Sequence, residues 1–77
     1  MDVKVLFFGV IADVVSQNEV SLSNVSDTDA LKEALLHEYP EIAKYKYLLS
    51  VNHAIVTDRI SLKDNDEVAL LPPFAGG

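Results

Sequence analysis

The sequence predicts an α+β fold in which a sheet packs on one main helix, with the elements in the order ββαβββ. Short runs of alternating apolar and polar side chains predict the strands. One longer stretch has apolar residues at helical spacing and predicts the single main helix. The chain has 77 residues, a length that corresponds to one domain with a modest core.

The first strand is predicted at residues 3–9, where the side chains alternate between two faces. The face expected to be buried is entirely apolar and consists of Val3, Val5 and Phe7. Lys4 marks the opposite face as the solvent side, so Phe8 becomes an apolar residue on an outer surface. A short helical turn or loop is expected at residues 11–16, followed by a second, antiparallel strand at residues 19–23.

The main helix is predicted to begin after Ser26, a residue type that caps helix N-termini. Asp27 and Asp29 would then lie in the first turn, where the helix dipole favours negative charge. Pro40 ends the helix because proline disfavours helical geometry in the residue before it. The apolar side chains between these limits predict one buried stripe of Ala30, Leu31, Ala34, Leu35 and Tyr39. A second short helix is expected at residues 41–46.

Three further strands are predicted at residues 48–52, 54–57 and 67–71. A turn at residues 63–66 precedes the last strand, and Asn65 is a residue type that tolerates the positive φ of such a turn. On the last strand, Val68 and Leu70 are expected to face the helix, whereas Leu71 faces outward. This order of elements fits the ubiquitin-like β-grasp, in which a sheet packs on one long helix.

The charge and hydropathy of the chain restrict its partners and location. Twelve acidic and six basic residues give a formal net charge of −6, which argues against nucleic acid because its phosphates would be repelled. The same charge favours a basic partner, although it also serves solubility. The apolar run at residues 5–12 is too short to span a bilayer, and no cleavable signal pattern is evident. We therefore expect a cytoplasmic protein.

The side chains predict no metal site and no active site within the chain. His37 and His53 are the only histidines, and neither has a second ligand at a metal-binding spacing. Residues 64–67 have the acidity of a calcium loop but lack its glycine and distal glutamate. The sequence has no nucleophile elbow and no phosphate-binding glycine loop. It also has no cysteine, so neither a disulfide nor a thiolate site is available.

A tail at residues 72–77 follows the predicted domain at residues 1–71. Pro72 and Pro73 have no N–H to donate to a sheet, and they stiffen the exit. Beyond them lie Phe74, Ala75, Gly76 and Gly77. A tail of this length reaches roughly 20 Å when extended, and its glycines let another protein approach the backbone closely. The alternative is a frayed terminus, where glycine is common.

Three segments resemble the small subunit of molybdopterin synthase, a family of ubiquitin-like sulfur carriers. The most specific is residues 64–77 with its Pro-Pro and Gly-Gly pairs, and residues 3–9 and Val51-Asn52 also resemble the family. The resemblance covers essentially the whole chain and implies a mixed sheet with the first and last strands parallel at its centre. The family often has Arg-Glu after the first strand, where this chain has Ile11-Ala12-Asp13. The resemblance therefore does not predict, for this chain, any contact that the arginine makes in the family.

The resemblance also implies a carrier cycle that uses ATP in trans and needs no bound cofactor. An ATP-dependent adenylating enzyme, related to ubiquitin-activating enzymes, would attach AMP to the carboxylate of Gly77. A sulfur donor would then convert that group to a thiocarboxylate. Inside the large subunit, this sulfur would attack cyclic pyranopterin monophosphate during molybdenum cofactor biosynthesis. Gly76 would provide access, and the residues that thread and aim the tail would be Pro72, Pro73, Phe74 and Ala75.

An outer apolar patch is predicted where the tail departs. In the implied strand pairing, Leu71 lies near Phe8 on the face opposite the helix, and Ile55 is a candidate third member. An exposed apolar patch in this place predicts a surface that docks the large subunit. The alternative is that these side chains merely pack against each other or beneath the tail.

Two other functions remain open. A sulfur carrier for thiamine synthesis has the same fold and Gly-Gly end, usually without the two prolines. A ubiquitin-like modifier would be joined to protein lysines through Gly77, and its activation begins in the same way. A ladder of covalent adducts in cell extract is expected only for the modifier.

Overall fold

The computed structural model describes residues 2–73 of the chain. These residues contain two α-helices, one 3₁₀-helix and five strands. In chain order they are β1 (Asp2–Phe7), α1 (Gly9–Val15), β2 (Glu19–Ser23), α2 (Thr28–Glu38), the 3₁₀-helix (Pro40–Lys44), β3 (Leu48–Val51), β4 (Ala54–Val56) and β5 (Glu67–Leu71). Each predicted strand and helix is present, with boundaries that differ by at most two residues from those expected.

The five strands form one mixed sheet in the order β2-β1-β5-β3-β4. β1 and β5 run parallel at its centre, with Val5 opposite Val68 and Phe7 opposite Leu70. The other neighbouring pairs in this sheet are antiparallel. A parallel pair needs a long crossover between its strands, and the segment that contains α2 supplies it. The expected β-grasp, with the main helix on a mixed sheet, is therefore confirmed.

The core lies between α2 and one face of the sheet. The strands contribute side chains that are almost wholly buried: Val3, Val5, Phe7, Val68 and Leu70. Leu31 and Leu35 form the buried stripe of α2. The rings of Phe7 and Tyr39 meet edge-on, with 6.0 Å between centroids and 78° between planes, a favourable aromatic geometry. The inner faces predicted for β1, β5 and the main helix are confirmed.

Asp27 caps the main helix, so the prediction that Ser26 would do so is wrong by one position. The Oδ1 atom of Asp27 accepts a hydrogen bond from the backbone N–H of Ala30 at 2.8 Å. The carbonyl of Ser26 instead accepts from the N–H of Leu62 at 2.9 Å. This long-range contact, and the bridge between Asp27 and Ser61 beside it, delay the start of α2.

The connection between β3 and β4 consists of two residues, one more than predicted. β3 ends at Val51 because Asn52 and His53 both adopt a positive φ, of 49° and 73°. Two successive residues of this kind form the compact turn that reverses a β-hairpin. Asn65, in the turn before β5, also has a positive φ of 70°, as its residue type allows.

Candidate docking surface at the tail root

The outer face of the sheet, opposite α2, carries an open groove of about 230 Å³. We call it the outer groove. Alternate residues of β1, β3, β4 and β5 point away from the core and supply most of its lining. Its apolar part consists of Leu6, Phe8, Ile55, Ala69 and Leu71. Its polar end consists of Ser50, His53 and Glu67.

Phe8, Ile55 and Leu71, the residues predicted to form an outer patch, all line this groove. Phe8 and Ile55 are 45% and 52% exposed, and Leu71 is half-buried. The strand register brings Phe8 and Leu71 together. In the central parallel pair Leu6 lies opposite Ala69, and Phe8 and Leu71 each follow two residues later on the same face. Large apolar side chains gathered on one exposed face mark a surface that another molecule can cover. Their role in docking stays a prediction.

The tail leaves the domain beside the corner between β1 and α1. The N–H of Phe8 donates to the carbonyl of Leu70 at 3.2 Å and ties this corner to the end of β5. Gly9 has a φ of +62°, and a Cβ built there would lie 3.0 Å from Cγ of Pro72. A side chain at residue 9 would therefore strain the backbone and press on the first proline of the tail. No role was predicted for Gly9, although a glycine directly after an apolar strand is a signal of a special backbone conformation.

Only the root of the tail lies within the described residues. Pro72 and Pro73 follow β5 and belong to no strand, and neither has an N–H to offer a sheet. Four residues with predicted access, aiming or carrier roles lie outside the described part of the chain, namely Phe74, Ala75, Gly76 and Gly77. Their roles, and the division into a domain at residues 1–71 and a tail at residues 72–77, stay predictions.

A hydrogen-bond network fixes the polar end of the outer groove. Oδ1 of Asn52 accepts from the N–H of Glu67 at 3.0 Å, and the N–H of Asn52 donates to the Glu67 carbonyl at 2.7 Å. Nδ2 of Asn52 also donates to Oδ1 of Asp66 at 3.0 Å. The turn between β3 and β4 is thereby bound to the start of β5. It places Nε2 of His53 3.7 Å from Oε2 of Glu67, at the rim of the groove.

Asp66 is expected to make the stability of the domain sensitive to acid. Hydrogen bonds from the Asn52 side chain and from the backbone N–H of Lys63, at 2.8 Å, lower the pKa of its carboxyl. A carboxyl whose pKa is lower in the folded state stabilises the fold above its unfolded pKa. That contribution is lost as the pH falls through the folded pKa. Asp66→Asn should therefore destabilise the domain at neutral pH and cost much less at about pH 3, below the ordinary aspartate value.

Urea unfolding of the wild type and of Asp66→Asn at the two pH values measures this difference in the free energy of unfolding. Asp58→Asn removes the same charge from another exposed position and is the control. Because both variants lose one negative charge, the comparison isolates the hydrogen bonds that Asp66 accepts from Asn52 and Lys63. An equal cost of Asp66→Asn at both pH values would contradict the expected linkage.

Between residues 2 and 73, no group of three His, Cys, Asp or Glu side chains is arranged to hold a metal ion. His37 is exposed on α2, as predicted. That same part of the chain has no helix long and apolar enough to cross a bilayer.

The chain matches a family model described as the ThiS family over residues 5–77. It is 34% identical to the molybdopterin synthase sulfur carrier subunit of Mycobacterium tuberculosis, with 97% of this chain and 96% of that protein covered. It is 31% identical to the protein of the same name from Caenorhabditis briggsae, with 100% of this chain and 99% of that protein covered. The similarity therefore extends over nearly the whole length of both relatives.

Solved structures share the fold. The protein–protein complex of subunits 1 and 2 of molybdopterin-converting factor from Helicobacter pylori contains a chain that is 29% identical to this one. The two chains superpose with a TM-score of 0.77, and 100% of each is covered. SAMP1 from Haloferax volcanii superposes with a TM-score of 0.83 over 100% of both chains, at 19% identity. At that identity the likeness to SAMP1 is evidence of the fold alone.

Proposed function

The chain belongs to the ThiS family, and from that premise we propose that it is the sulfur carrier subunit of a molybdopterin synthase. One observation carries the proposal. Curated sulfur carrier subunits of molybdopterin synthase match it at 31% and 34% identity along almost their whole length. The family match extends to residue 77 and so includes Gly76 and Gly77. The absence of cysteine from the sequence agrees with sulfur carried on a carboxylate rather than on a thiol.

The terminal carboxylate of Gly77 needs activation before it can accept sulfur. An α-carboxyl group has a pKa of about 3.3–3.7, so it is an anion at neutral pH and a poor electrophile. An adenylating enzyme would join it to the α-phosphate of ATP, with loss of pyrophosphate. A sulfur donor would then attack the acyl carbon, AMP would leave, and a thiocarboxylate would remain. The carrier itself would bind no cofactor, because the activating enzyme uses ATP in trans.

The large subunit would hold the domain at the outer groove and receive the tail. Phe8, Ile55 and Leu71 would form the apolar contact, close to the point where the tail leaves β5. The residues beyond Pro72 would enter the large subunit and aim the terminal sulfur at cyclic pyranopterin monophosphate. Gly76 would let the partner's backbone approach closely because it has no Cβ. The complex of subunits 1 and 2 formed by the Helicobacter pylori relative supports this choice of partner.

Two alternative functions compete with this proposal. A thiamine-type sulfur carrier would share the activation chemistry, but Pro72 and Pro73 favour the synthase subunit over it. A modifier conjugated to lysines through Gly77 would also begin with adenylation. The likeness to SAMP1 does not favour that alternative, because it is evidence of the fold alone at 19% identity.

Reconstitution tests the proposal. The chain is incubated with ATP, an adenylating enzyme and a sulfur donor, and then with the large subunit and the pterin precursor. We expect its intact mass to rise by about 16 Da as sulfur replaces oxygen, and molybdopterin to form only from the charged carrier. A chain that gains sulfur but never binds the large subunit would indicate the thiamine-type carrier. Accumulation of covalent adducts on protein lysines would indicate the modifier.

A further inference from the structure

His53 holds a backbone conformation that glycine would adopt at lower cost. The connection between β3 and β4 consists of Asn52 and His53, whose φ angles are 49° and 73°. Turns with two successive left-handed residues favour Asn-Gly, because asparagine tolerates positive φ and glycine has no Cβ to clash. Asn52 fits this preference and His53 does not. Residues kept in such conformations often serve a contact with a ligand or a partner.

The surrounding structure holds His53 in this conformation. Asn52 is hydrogen-bonded to the backbone of Glu67 in both directions, at 3.0 and 2.7 Å. The imidazole of His53 is consequently presented at the rim of the outer groove, with 88% of its side chain exposed. Its Nε2 atom lies 3.7 Å from the Glu67 carboxylate, and a contact made by so exposed a side chain adds little to stability. The fold thus gains little from His53 that would offset the backbone strain.

We propose that His53 is a specificity-determining contact residue for the large subunit that covers the outer groove. This inference rests on the proposed function. The apolar part of the groove can fit many apolar surfaces, so its polar end must distinguish one partner from another. Covering the groove removes water from Glu67, whose side chain is 33% exposed, and a carboxylate that loses water needs a hydrogen-bond donor. One imidazole nitrogen lies beside that carboxylate, and the second can bond to a group of the partner.

His53→Gly separates a contact role from a structural role. Glycine adopts the positive φ without strain, so this change should raise the melting temperature of the free chain by about 4 °C. Loss of the imidazole should weaken binding of the large subunit by about tenfold. A residue with a merely structural role would change stability and affinity in the same direction. His53→Asn tolerates positive φ and keeps a hydrogen-bonding side chain, so it should lose less affinity than His53→Gly.

Asn65→Gly is the matched control. Asn65 also has a positive φ, of 70°, but it lies in the turn before β5 and does not line the outer groove. This change should leave affinity unchanged, and it should alter the melting temperature less than His53→Gly does because asparagine tolerates positive φ. Calorimetry of the free chains and titration with purified large subunit give both quantities. Wild-type affinity in His53→Gly would overturn the inference, whereas failure of the wild type to bind would overturn the proposed function and this inference with it.

Discussion

Deleting Gly77 is expected to lower the rate of molybdopterin formation by at least about a hundredfold without unfolding the domain. The deletion shortens the tail by one residue, roughly 3.5 Å, and leaves Gly76 as a terminal carboxylate held back from the reacting atoms. A misplacement of about 1 Å can already cost on the order of a hundredfold in rate. The residues described in the core and along the outer groove are unchanged in this variant. The melting temperature and the affinity for the large subunit should therefore fall far less than the rate.

Adding one residue after Gly77 should do similar harm, because the new terminus overshoots or carries a side chain. Intact mass spectrometry is the decisive measurement. The wild type should gain about 16 Da in the presence of ATP and a sulfur source, and neither altered tail should do so. Circular dichroism and melting curves serve as the control for folding. If the deletion variant still gains sulfur and makes molybdopterin at the wild-type rate, Gly77 is not the carrier and the tail is a frayed terminus.

Phe8→Ala is expected to weaken binding of the large subunit by about 30-fold or more, since truncating a central interface anchor costs about 2–4 kcal/mol. Phe8 is 45% exposed in the free chain, so its truncation removes less buried area from the domain than truncation of a fully buried phenylalanine would. Phe7→Ala is the matched control on the opposite face. Phe7 is only 2% exposed, and its loss should cost about 3–5 kcal/mol of folding free energy. That is a large share of the stability of a small domain.

Thermal unfolding and titration with the large subunit distinguish the two phenylalanines. Phe8→Ala should keep the melting temperature near that of the wild type and lose affinity, and Leu71→Ala should behave in the same way. Phe7→Ala should lower the melting temperature sharply. If Phe8→Ala destabilised the free domain as much as Phe7→Ala does, the two faces of β1 would have been assigned in reverse.

The strands and the main helix could be predicted because local periodicity encodes them. Lys4 identified the outer face of β1 and so distinguished buried Phe7 from exposed Phe8. The same alternation placed Val68 and Leu70 in the core. The grouping of the outer patch needed one more fact, the parallel pairing of β1 with β5, which came from the family resemblance and not from periodicity.

Two features of the structure depend on contacts between distant parts of the chain, and one of them corrects a prediction. Ser26 has a good capping side chain, but its carbonyl is bonded to the N–H of Leu62, and α2 therefore begins after Asp27. The need for glycine at residue 9 depends on Pro72, whose Cγ would lie 3.0 Å from a Cβ at that position. The sequence around Ser26 does not predict its contact with Leu62, and the sequence around Gly9 does not predict its contact with Pro72.

By itself, the sequence determined the α+β class, the order of the elements and the inward or outward direction of the side chains on β1 and β5. Only the tertiary structure decided that Asn52 binds the backbone of Glu67 and so presents His53 at the rim of the outer groove. The physical reason is that the preference of a residue for helix, strand or turn depends mainly on its own side chain and its neighbours in sequence. Which distant backbone group meets its hydrogen-bonding atoms depends on how the whole chain packs.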